Sequence, residues 1–273
     1  MIYKKIFLKD YYSVDSDCTL EIMIPEGQGY DMSQELLRAM VIVPGGGYSH
    51  VSKREGDPVA FEFLRKNYAC FILCYSTNRK YPVPHRELAC AFDYVRRNSD
   101  EFRIDKTKVS AIGFSAGGHL LGSYSYLFQR KEILEGLDID ISNLKPDVLI
   151  LSYPVITMKA KTHGGTRDVI AGEDKELLDL LSIEDHITPS YPKTFIWHTM
   201  EDESVPVDNT FMMKKTLDDN NVENKMILFP HLGHGLSTCN PCFNRVEEMY
   251  MYDYEINAQW VNLALEFLDK AYE

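Results

Sequence analysis

The sequence lacks an apolar run long enough to span a membrane, and its first ten residues lack the hydrophobic segment of a signal peptide. It also lacks an excess of basic residues, because 29 lysines and arginines stand against 41 aspartates and glutamates, for a net charge of −12. Phosphate binding needs a basic face, so nucleic acid is not an expected partner. We expect a cytoplasmic protein that has no membrane partner.

Cysteine is scarce, with six residues in the whole chain, and the one C-x-x-C motif is Cys239-Asn-Pro-Cys242. Without a second such pair, this motif indicates neither a zinc site nor a thioredoxin-like centre. Cys70, Cys74 and Cys90 lie in apolar segments, as is typical of reduced, buried cysteines. We expect no metal and no organic cofactor.

Short apolar segments alternate with helix-compatible segments along the chain. This alternation predicts an α/β protein with βα units and a mostly parallel sheet, flanked by helices on both faces. We predict a single domain over residues 1–273, with a small cap or pocket insertion at 154–192 and an irregular stretch at 157–172. An antiparallel edge pair is expected at 2–8 and 18–24, a polar loop at 26–34, and a single C-terminal helix at 256–270. The buried strands are predicted at 39–43, 69–75, 109–112, 147–153, 193–198 and 225–229.

Residues Gly113-Phe-Ser-Ala-Gly117 form a G-x-S-x-G motif between an apolar run and a helix-compatible run. In a strand, turn and helix context this motif marks a nucleophile elbow, with the serine on a sharp turn at the top of the sheet. Glycines flank it because a Cβ there would collide with the crossing strand or helix. The motif predicts Ser115 as a nucleophile and the Ala116 N–H as an oxyanion donor at the positive end of the helix.

A serine nucleophile needs a histidine base and a carboxylate that orients this base. In proteins with such an elbow the chain order is serine, acid, histidine. Three carboxylates follow the predicted strand 193–198, namely Glu201, Asp202 and Glu203. An acid that points at a histidine from a turn favours the short side chain of Asp202.

Two histidines, His231 and His234, follow the predicted strand 225–229 and compete for the role of base. His234 lies between Gly233 and Gly235, which leave the backbone free to place its ring over the elbow. We therefore favour His234 as the base and expect His231 to be structural. His119, on the helix after the elbow, is expected to pack inside the protein.

A glycine-rich loop, Pro44-Gly-Gly-Gly47, follows the predicted strand 39–43. In elbow-containing hydrolases the second oxyanion donor comes from this place, and glycines let bare N–H groups approach a substrate. No Gly-Lys-Ser/Thr follows the loop, so the sequence does not indicate a phosphate-binding loop. We predict Gly46 and Gly47 as further oxyanion donors.

Five segments together resemble the bacterial α/β-hydrolase esterases of the acetyl esterase type, which include carbohydrate and xylan acetyl-esterases. The resemblance implies an α/β-hydrolase fold, with Ser115 as nucleophile, Asp202 as acid and His234 as base. Arg54 and Glu55 match a family pair near the oxyanion loop. We expect this pair to be structural, as an ion pair that holds the loop, in preference to the alternative of substrate binding. The segments are PGGGY (44–48), SKREGDP (52–58), GFSAGGHL (113–120), WHTMEDESVPVDN (197–209) and FPHLGHGL (229–236).

Two positions depart from the family pattern without touching the proposed triad. Pro44 stands where relatives with an HGGG loop have histidine, and Glu201 stands where many relatives have a second aspartate. Tyr48, Tyr153 and Pro154 are bulky residues near the expected site, and we predict that they line a small substrate pocket.

The resulting expectation is a serine carboxylesterase whose partner is a small-molecule acyl ester, with a short and most often acetyl acyl group, including acetyl groups on carbohydrates. Homo-oligomer formation is left open by the sequence. One alternative is a serine peptidase of the prolyl-oligopeptidase kind, which shares the Ser, Asp, His order but normally has a large gating domain. The other is a non-catalytic binding protein on the same fold.

Overall fold

The computed structural model describes residues 1–26, 35–244 and 250–273. In this part of the chain eight strands pair in one sheet, which confirms the predicted α/β class. Most of the predicted polar loop at 26–34 lies outside the described residues. The strands are β1 Ile2–Phe7, β2 Thr19–Ile24, β3 Leu37–Val43, β4 Tyr68–Cys74, β5 Ile104–Phe114, β6 Val148–Ser152, β7 Lys193–Thr199 and β8 Asn224–Phe229.

The strand order is β1-β2-β4-β3-β5-β6-β7-β8. The predicted edge pair is confirmed: β1 is antiparallel to β2, with Ile2 opposite Ile24, and β2 is antiparallel to β4. All other neighbours in the sheet are parallel. Strands of a parallel sheet are covered on both faces, which explains why β3, β4, β6 and the second half of β5 are nearly continuous apolar runs.

Helices cover both faces of this sheet, and alternate strand residues divide between the two layers. On β3, Val41 and Val43 face the layer that contains the helices at 83–97, 116–127 and 208–219, whereas Ile42 faces the layer of the helices at 57–64 and 260–271. The helices of the described residues are α1 Asp57–Leu64, α2 Val83–Arg97, α3 Ser99–Phe102, α4 Ala116–Leu127, α5 Lys131–Leu134, α6 Gly164–Ile170, α7 Lys175–Leu180, α8 Asp208–Asp219, α9 Met251–Asn257 and α10 Trp260–Ala271.

The structure differs from the sequence-based prediction in two places. The stretch predicted to be irregular contains α6, which begins with two glycines and is capped by His163, whose Nδ1 accepts a hydrogen bond from the Thr166 N–H. Because glycine disfavours helix formation, the sequence pattern did not predict α6. The single helix predicted at 256–270 is two helices, α9 and α10, and Trp260 at the start of α10 stacks on Trp197 of β7.

The carboxyl ends of β3, β5, β6, β7 and β8 lie along the same edge of the sheet, because these strands are parallel neighbours. Ligands of open α/β sheets bind beyond this edge. The loops that leave these strands are therefore where the predicted functional residues can meet. Among the described helices, none is long and apolar enough to cross a membrane.

Candidate active site

Ser115 occupies the turn between β5 and α4 in a strained backbone conformation, with φ 51° and ψ −118°. Two backbone hydrogen bonds to the chain at the end of β6 hold it there, from Ser115 N–H to Ser152 O (3.0 Å) and from Val155 N–H to Ser115 O (3.2 Å). A Cβ on Gly117 would lie 2.2 Å from Val43 O, so only glycine fits beside the turn. Non-glycine residues with such angles cluster at functional sites.

Ser115, His234 and Asp202 form one hydrogen-bonded chain. The Ser115 hydroxyl donates to His234 Nε2 over 2.8 Å, and His234 Nδ1–H donates to Asp202 Oδ2 over 2.6 Å. The three residues come from the loops after β5, β7 and β8 and are brought together although 119 positions separate the serine from the histidine. This arrangement lets the imidazole accept the serine proton while the carboxylate holds the ring in the required tautomer.

The carboxylate of Asp202 is enclosed by donors. Its Oδ1 accepts the N–H groups of Ser204 and Val205, both at 2.9 Å, and its Oδ2 accepts from His198 and His234. Burial by itself would raise the pKa of Asp202, but the hydrogen bonds from His198 and His234 lower it well below its ordinary value. Asp202 therefore stays ionised at every pH near neutrality, as the partner of a histidine base must.

His198 is a part of the site that the sequence pattern did not reveal. It is fully buried at the end of β7, where its Nε2 lies 3.0 Å from both Asp202 Oδ2 and Val205 O. The Thr210 hydroxyl lies 2.8 Å from Nδ1 and donates to it, since Nε2 needs the ring proton for its two acceptors. The available signal was a histidine at the end of an apolar strand, four residues before a candidate acid.

The competing carboxylates and histidine lie elsewhere. Glu201 Oε1 lies 3.0 Å from His231 Nδ1 on the surface, where both side chains are more than half exposed, and Glu203 is also exposed. Neither His231 nor these two glutamates contacts Ser115. Of the candidates, the structure therefore brings Asp202 and His234 to the serine.

The glycine-rich loop lies against the elbow. A Cβ on Gly45 would be 3.0 Å from the Cβ of Ser115, and Gly46 has a φ of +124°, which side-chain-bearing residues rarely adopt. Within the described residues, the N–H groups of Gly46, Gly47 and Ala116 donate no hydrogen bond. They are therefore available to an oxygen that develops negative charge beside Ser115.

Glu55 connects the glycine-rich loop to the chain next to His234 through hydrogen bonds. It is 3% exposed, and its carboxylate accepts the Gly45 N–H at 2.8 Å and the Tyr153 hydroxyl at 2.7 Å. The Tyr153 oxygen in turn accepts the Ser237 N–H at 2.9 Å, just beyond His234. No ion pair between Arg54 and Glu55 is found in the described structure, so the expected ion pair is wrong, and these hydrogen bonds hold the loop instead.

The predicted pocket residues Tyr48, Tyr153 and Pro154 are all buried. Their role as walls of a substrate pocket stays a prediction. The Tyr153 ring packs edge-on against His234 with centroids 4.9 Å apart. Tyr153 therefore supports the imidazole of His234 by direct contact.

The Tyr48 hydroxyl forms a 2.8 Å hydrogen bond with His119 Nδ1, and His119 Nε2 lies 2.9 Å from Leu181 O. Burial lowers the pKa of His119 to about 4, so this histidine is neutral and packs in the interior as expected. The described residues contain no group of three or more His, Cys, Asp or Glu side chains arranged to hold a metal ion. Cys239 is buried and Cys242 exposed, and both are free thiols.

Comparison with known proteins now adds to this geometry. The sequence profile of the BD-FAE family matches residues 20–217, which is more than half of the chain. The chain belongs to the BD-FAE family. The match includes the glycine-rich loop, Ser115 and Asp202, and ends before His234.

Two relatives of this BD-FAE chain come from bacteria. It is 34% identical over 211 residues to endo-1,4-beta-xylanase B of Butyrivibrio fibrisolvens, and 28% identical over 210 residues to an acetylxylan esterase of Xylanibacter ruminicola. The matches cover 75% and 72% of this chain but only 33% and 41% of those proteins. The chain thus spans between a third and about two fifths of the length of these relatives.

Solved structures agree with the fold. An acetyl ester-xyloside bifunctional hydrolase from Caldicellulosiruptor lactoaceticus superimposes with a TM-score of 0.77 at 28% identity, over 94% of this chain and 89% of its own. A carboxylesterase from Lactobacillus plantarum gives a TM-score of 0.85 at 23% identity, over 99% and 98%, and supports the fold alone. This BD-FAE family member therefore has the α/β-hydrolase fold.

Proposed function

We propose that the protein is a serine carboxylesterase that removes short acyl groups, chiefly acetyl, from ester substrates that include carbohydrates. The main support is the hydrogen-bonded chain from Ser115 through His234 to Asp202, at 2.8 and 2.6 Å, on a strained elbow. Such an arrangement activates a hydroxyl that is otherwise a poor nucleophile. Since an acetylxylan esterase is among the relatives of the chain, acyl transfer to Ser115 is the reaction that best suits these groups.

In the proposed reaction Ser115 Oγ attacks the ester carbonyl carbon while His234 Nε2 takes the hydroxyl proton. The C–O bond to the alcohol then breaks, and His234 returns this proton to the departing alcohol oxygen. The acyl group stays on Ser115 until a water, deprotonated by His234, attacks the carbonyl carbon. The bond from this carbon to Ser115 Oγ then breaks, His234 returns the proton to Ser115 Oγ, and the carboxylic acid leaves. Asp202 holds the Nδ1 proton throughout and stabilises the imidazolium.

The negative charge on the carbonyl oxygen would be held by the N–H groups of Gly46, Gly47 and Ala116. Loss of one such donor costs on the order of 3 kcal/mol of transition-state stabilisation. Glu55 supports this role indirectly, because it occupies the Gly45 N–H and fixes the loop while leaving the next two N–H groups unpaired. The Ala116 N–H stands at the start of α4, where the helix dipole also favours an anion.

The acyl and alcohol preferences are inferred from the chain and its relatives. The segment 154–172 is short and contains Lys159, Lys161 and Arg167, which interrupt any apolar face that could act as a lipase lid. A long acyl chain would forgo about 0.8 kcal/mol for each methylene left in water. The names of an acetylxylan esterase and an acetyl ester-xyloside hydrolase among the similar proteins favour acetylated carbohydrates as substrates.

The decisive experiment compares Ser115→Ala with Ser190→Ala, an exposed serine outside the site. Ser115→Ala is expected to abolish hydrolysis of nitrophenyl acetate and labelling by a fluorophosphonate probe, whereas Ser190→Ala keeps both. Wild-type kcat/KM, measured from acetyl to dodecanoyl nitrophenyl esters, should be highest from acetyl to butyryl. Ser115→Ala activity within tenfold of wild type would exclude the nucleophile assignment, and an optimum at octanoyl or longer would exclude the short-chain preference.

A further inference from the structure

His163 lies beside the proposed oxyanion loop although no motif singled it out. Its Cε1 is 3.5 Å from the position that a Cβ would take on Gly47, so the imidazole covers this glycine. His163 follows β6 in the chain and caps α6. The side chain is only half-buried, which leaves part of the ring open to the cleft.

The tautomer of His163 is fixed by Thr166. Nδ1 lies 3.1 Å from the Thr166 N–H and 2.8 Å from its buried hydroxyl, and a nitrogen that accepts from a backbone N–H cannot carry a proton. The proton of the neutral ring is therefore on Nε2. In the described part of the chain no group accepts a hydrogen bond from Nε2, so this N–H is available.

The electrostatic surroundings keep the ring neutral. Burial and the neighbouring His234 lower the pKa of His163, and Asp202 opposes them. A neutral imidazole near pH 7 preserves Nδ1 as the acceptor for Thr166 and hence Nε2–H as the free donor. The influence of His234 and Asp202 also indicates that His163 is close to the reacting groups.

We propose that His163 is a substrate-binding residue whose Nε2–H donates a hydrogen bond to an oxygen in the alcohol part of the ester. This inference rests on the proposed esterase function and extends it to the choice of alcohol. The carbonyl oxygen already has the N–H groups of Gly46, Gly47 and Ala116, and an acetyl methyl group accepts no hydrogen bond. The alcohol part is then the only part of an acetyl ester that can use a further donor.

The preferred substrates are therefore acetates of alcohols that have a ring oxygen or hydroxyl close to the ester, as sugars do. Acetates of hydrocarbon alcohols gain nothing from His163. A neutral hydrogen bond of this kind changes an affinity or rate by about three- to tenfold.

The test separates this role from helix capping by its choice of variants. His163→Ser and His163→Asn each keep an oxygen that can cap α6 at the Thr166 N–H, because Ser and Asn are good N-cap residues. Neither side chain reaches as far as the imidazole Nε2. His186→Ser is the matched control, since its Nε2 is bound to Asp179 O away from the site.

The two substrates are an O-acetylated methyl xyloside and cyclohexyl acetate, which have six-membered rings with and without oxygens. We expect His163→Ser and His163→Asn to lower kcat/KM for the xyloside acetate by about three- to tenfold and to change cyclohexyl acetate less than twofold. His186→Ser should change neither value. Equal losses on both esters, or no loss on the xyloside, would overturn the inference, whereas a wild-type protein that hydrolyses neither ester would overturn the proposed function itself.

Discussion

Two acid–histidine pairs join the same two loops of this protein. Glu201 pairs with His231 at 3.0 Å, and the next acid, Asp202, pairs with His234 at 2.6 Å. The first pair is more than half exposed on both sides, whereas the Asp202 side chain is fully buried and that of His234 is 21% exposed. Two acids that are adjacent in sequence, Glu201 and Asp202, thus form one surface pair and one buried pair with histidines.

The difference lies in what surrounds each acid. The hydrogen bond from His231 lowers the pKa of Glu201, and the same bond raises the pKa of His231, but water screens an exposed pair and leaves it of little energetic value. Asp202 has four donors and almost no water, so it cannot lose a partner without a large cost. The burial of Asp202 and its four hydrogen-bond donors, and not the mere presence of an acid–histidine pair, make the Asp202–His234 pair suited to the proposed catalysis.

The largest effect is expected when the buried pair is broken. Asp202→Asn should lower kcat/KM by about 10⁴, because the imidazole loses the partner that fixes its tautomer. The measurement is steady-state hydrolysis of nitrophenyl acetate at pH 7.5.

Glu201→Gln is the matched control one residue earlier, and it should stay within about twofold of wild type since an exposed pair contributes little. A larger loss in Glu201→Gln than in Asp202→Asn would reverse the assignment of the acid.

An intermediate effect is expected at His198, which we regard as a positioning residue that acts through Asp202. His198→Phe removes one donor to this carboxylate, and a hydrogen bond to a charged group contributes about 1.5–3 kcal/mol. We therefore expect kcat to fall about ten- to a hundredfold while KM stays within about twofold.

His198→Gln provides the rescue, because its amide nitrogen can take the place of the imidazole Nε2 and donate to Asp202. It should recover most of the lost kcat. A purely structural role would instead predict equal kcat in both variants at matched stability, as measured by urea unfolding.

The smallest effect is the acid dependence of stability. Asp202 has a lowered pKa in the folded protein, so below its ordinary value of about 4 the unfolded chain binds a proton that the folded protein does not. Stability from this group is complete above about pH 4 and falls with pH below it, by up to about 1.4 kcal/mol per pH unit. The excess unfolding free energy of wild type over Asp202→Asn in urea should therefore be constant from pH 7 to 5 and smaller at pH 3. An unchanged difference at pH 3 would contradict the depressed pKa.

The sequence could predict those candidate site residues that belong to a local sequence pattern. Gly113 and Gly117 mark the elbow, and the order of strands identifies the loops that meet it, which is why Ser115, Asp202 and His234 stand out. Each apolar strand of the parallel sheet was also recognisable because burial on both faces leaves a continuous run.

The other features of the site depend on the direction of side chains, which the sequence does not indicate. Tyr48 and Tyr153 are almost fully buried and have positive φ angles, which no sequence pattern indicates at tyrosine. The turn after β7 brings His198 to Asp202, and Glu55 reaches Tyr153 across 98 positions of the chain. Contacts of this kind depend on tertiary structure and leave no local periodicity.

The strand order has a consequence for the protein during its synthesis. Ser115 and the glycine-rich loop leave the ribosome well before β8 and His234, since chains are made from the amino end and N-terminal parts fold first. In the proposed mechanism the serine has no base until that histidine arrives and remains a weak nucleophile until then. We therefore expect the nascent chain not to hydrolyse esters before the strand at the far edge of the sheet has docked.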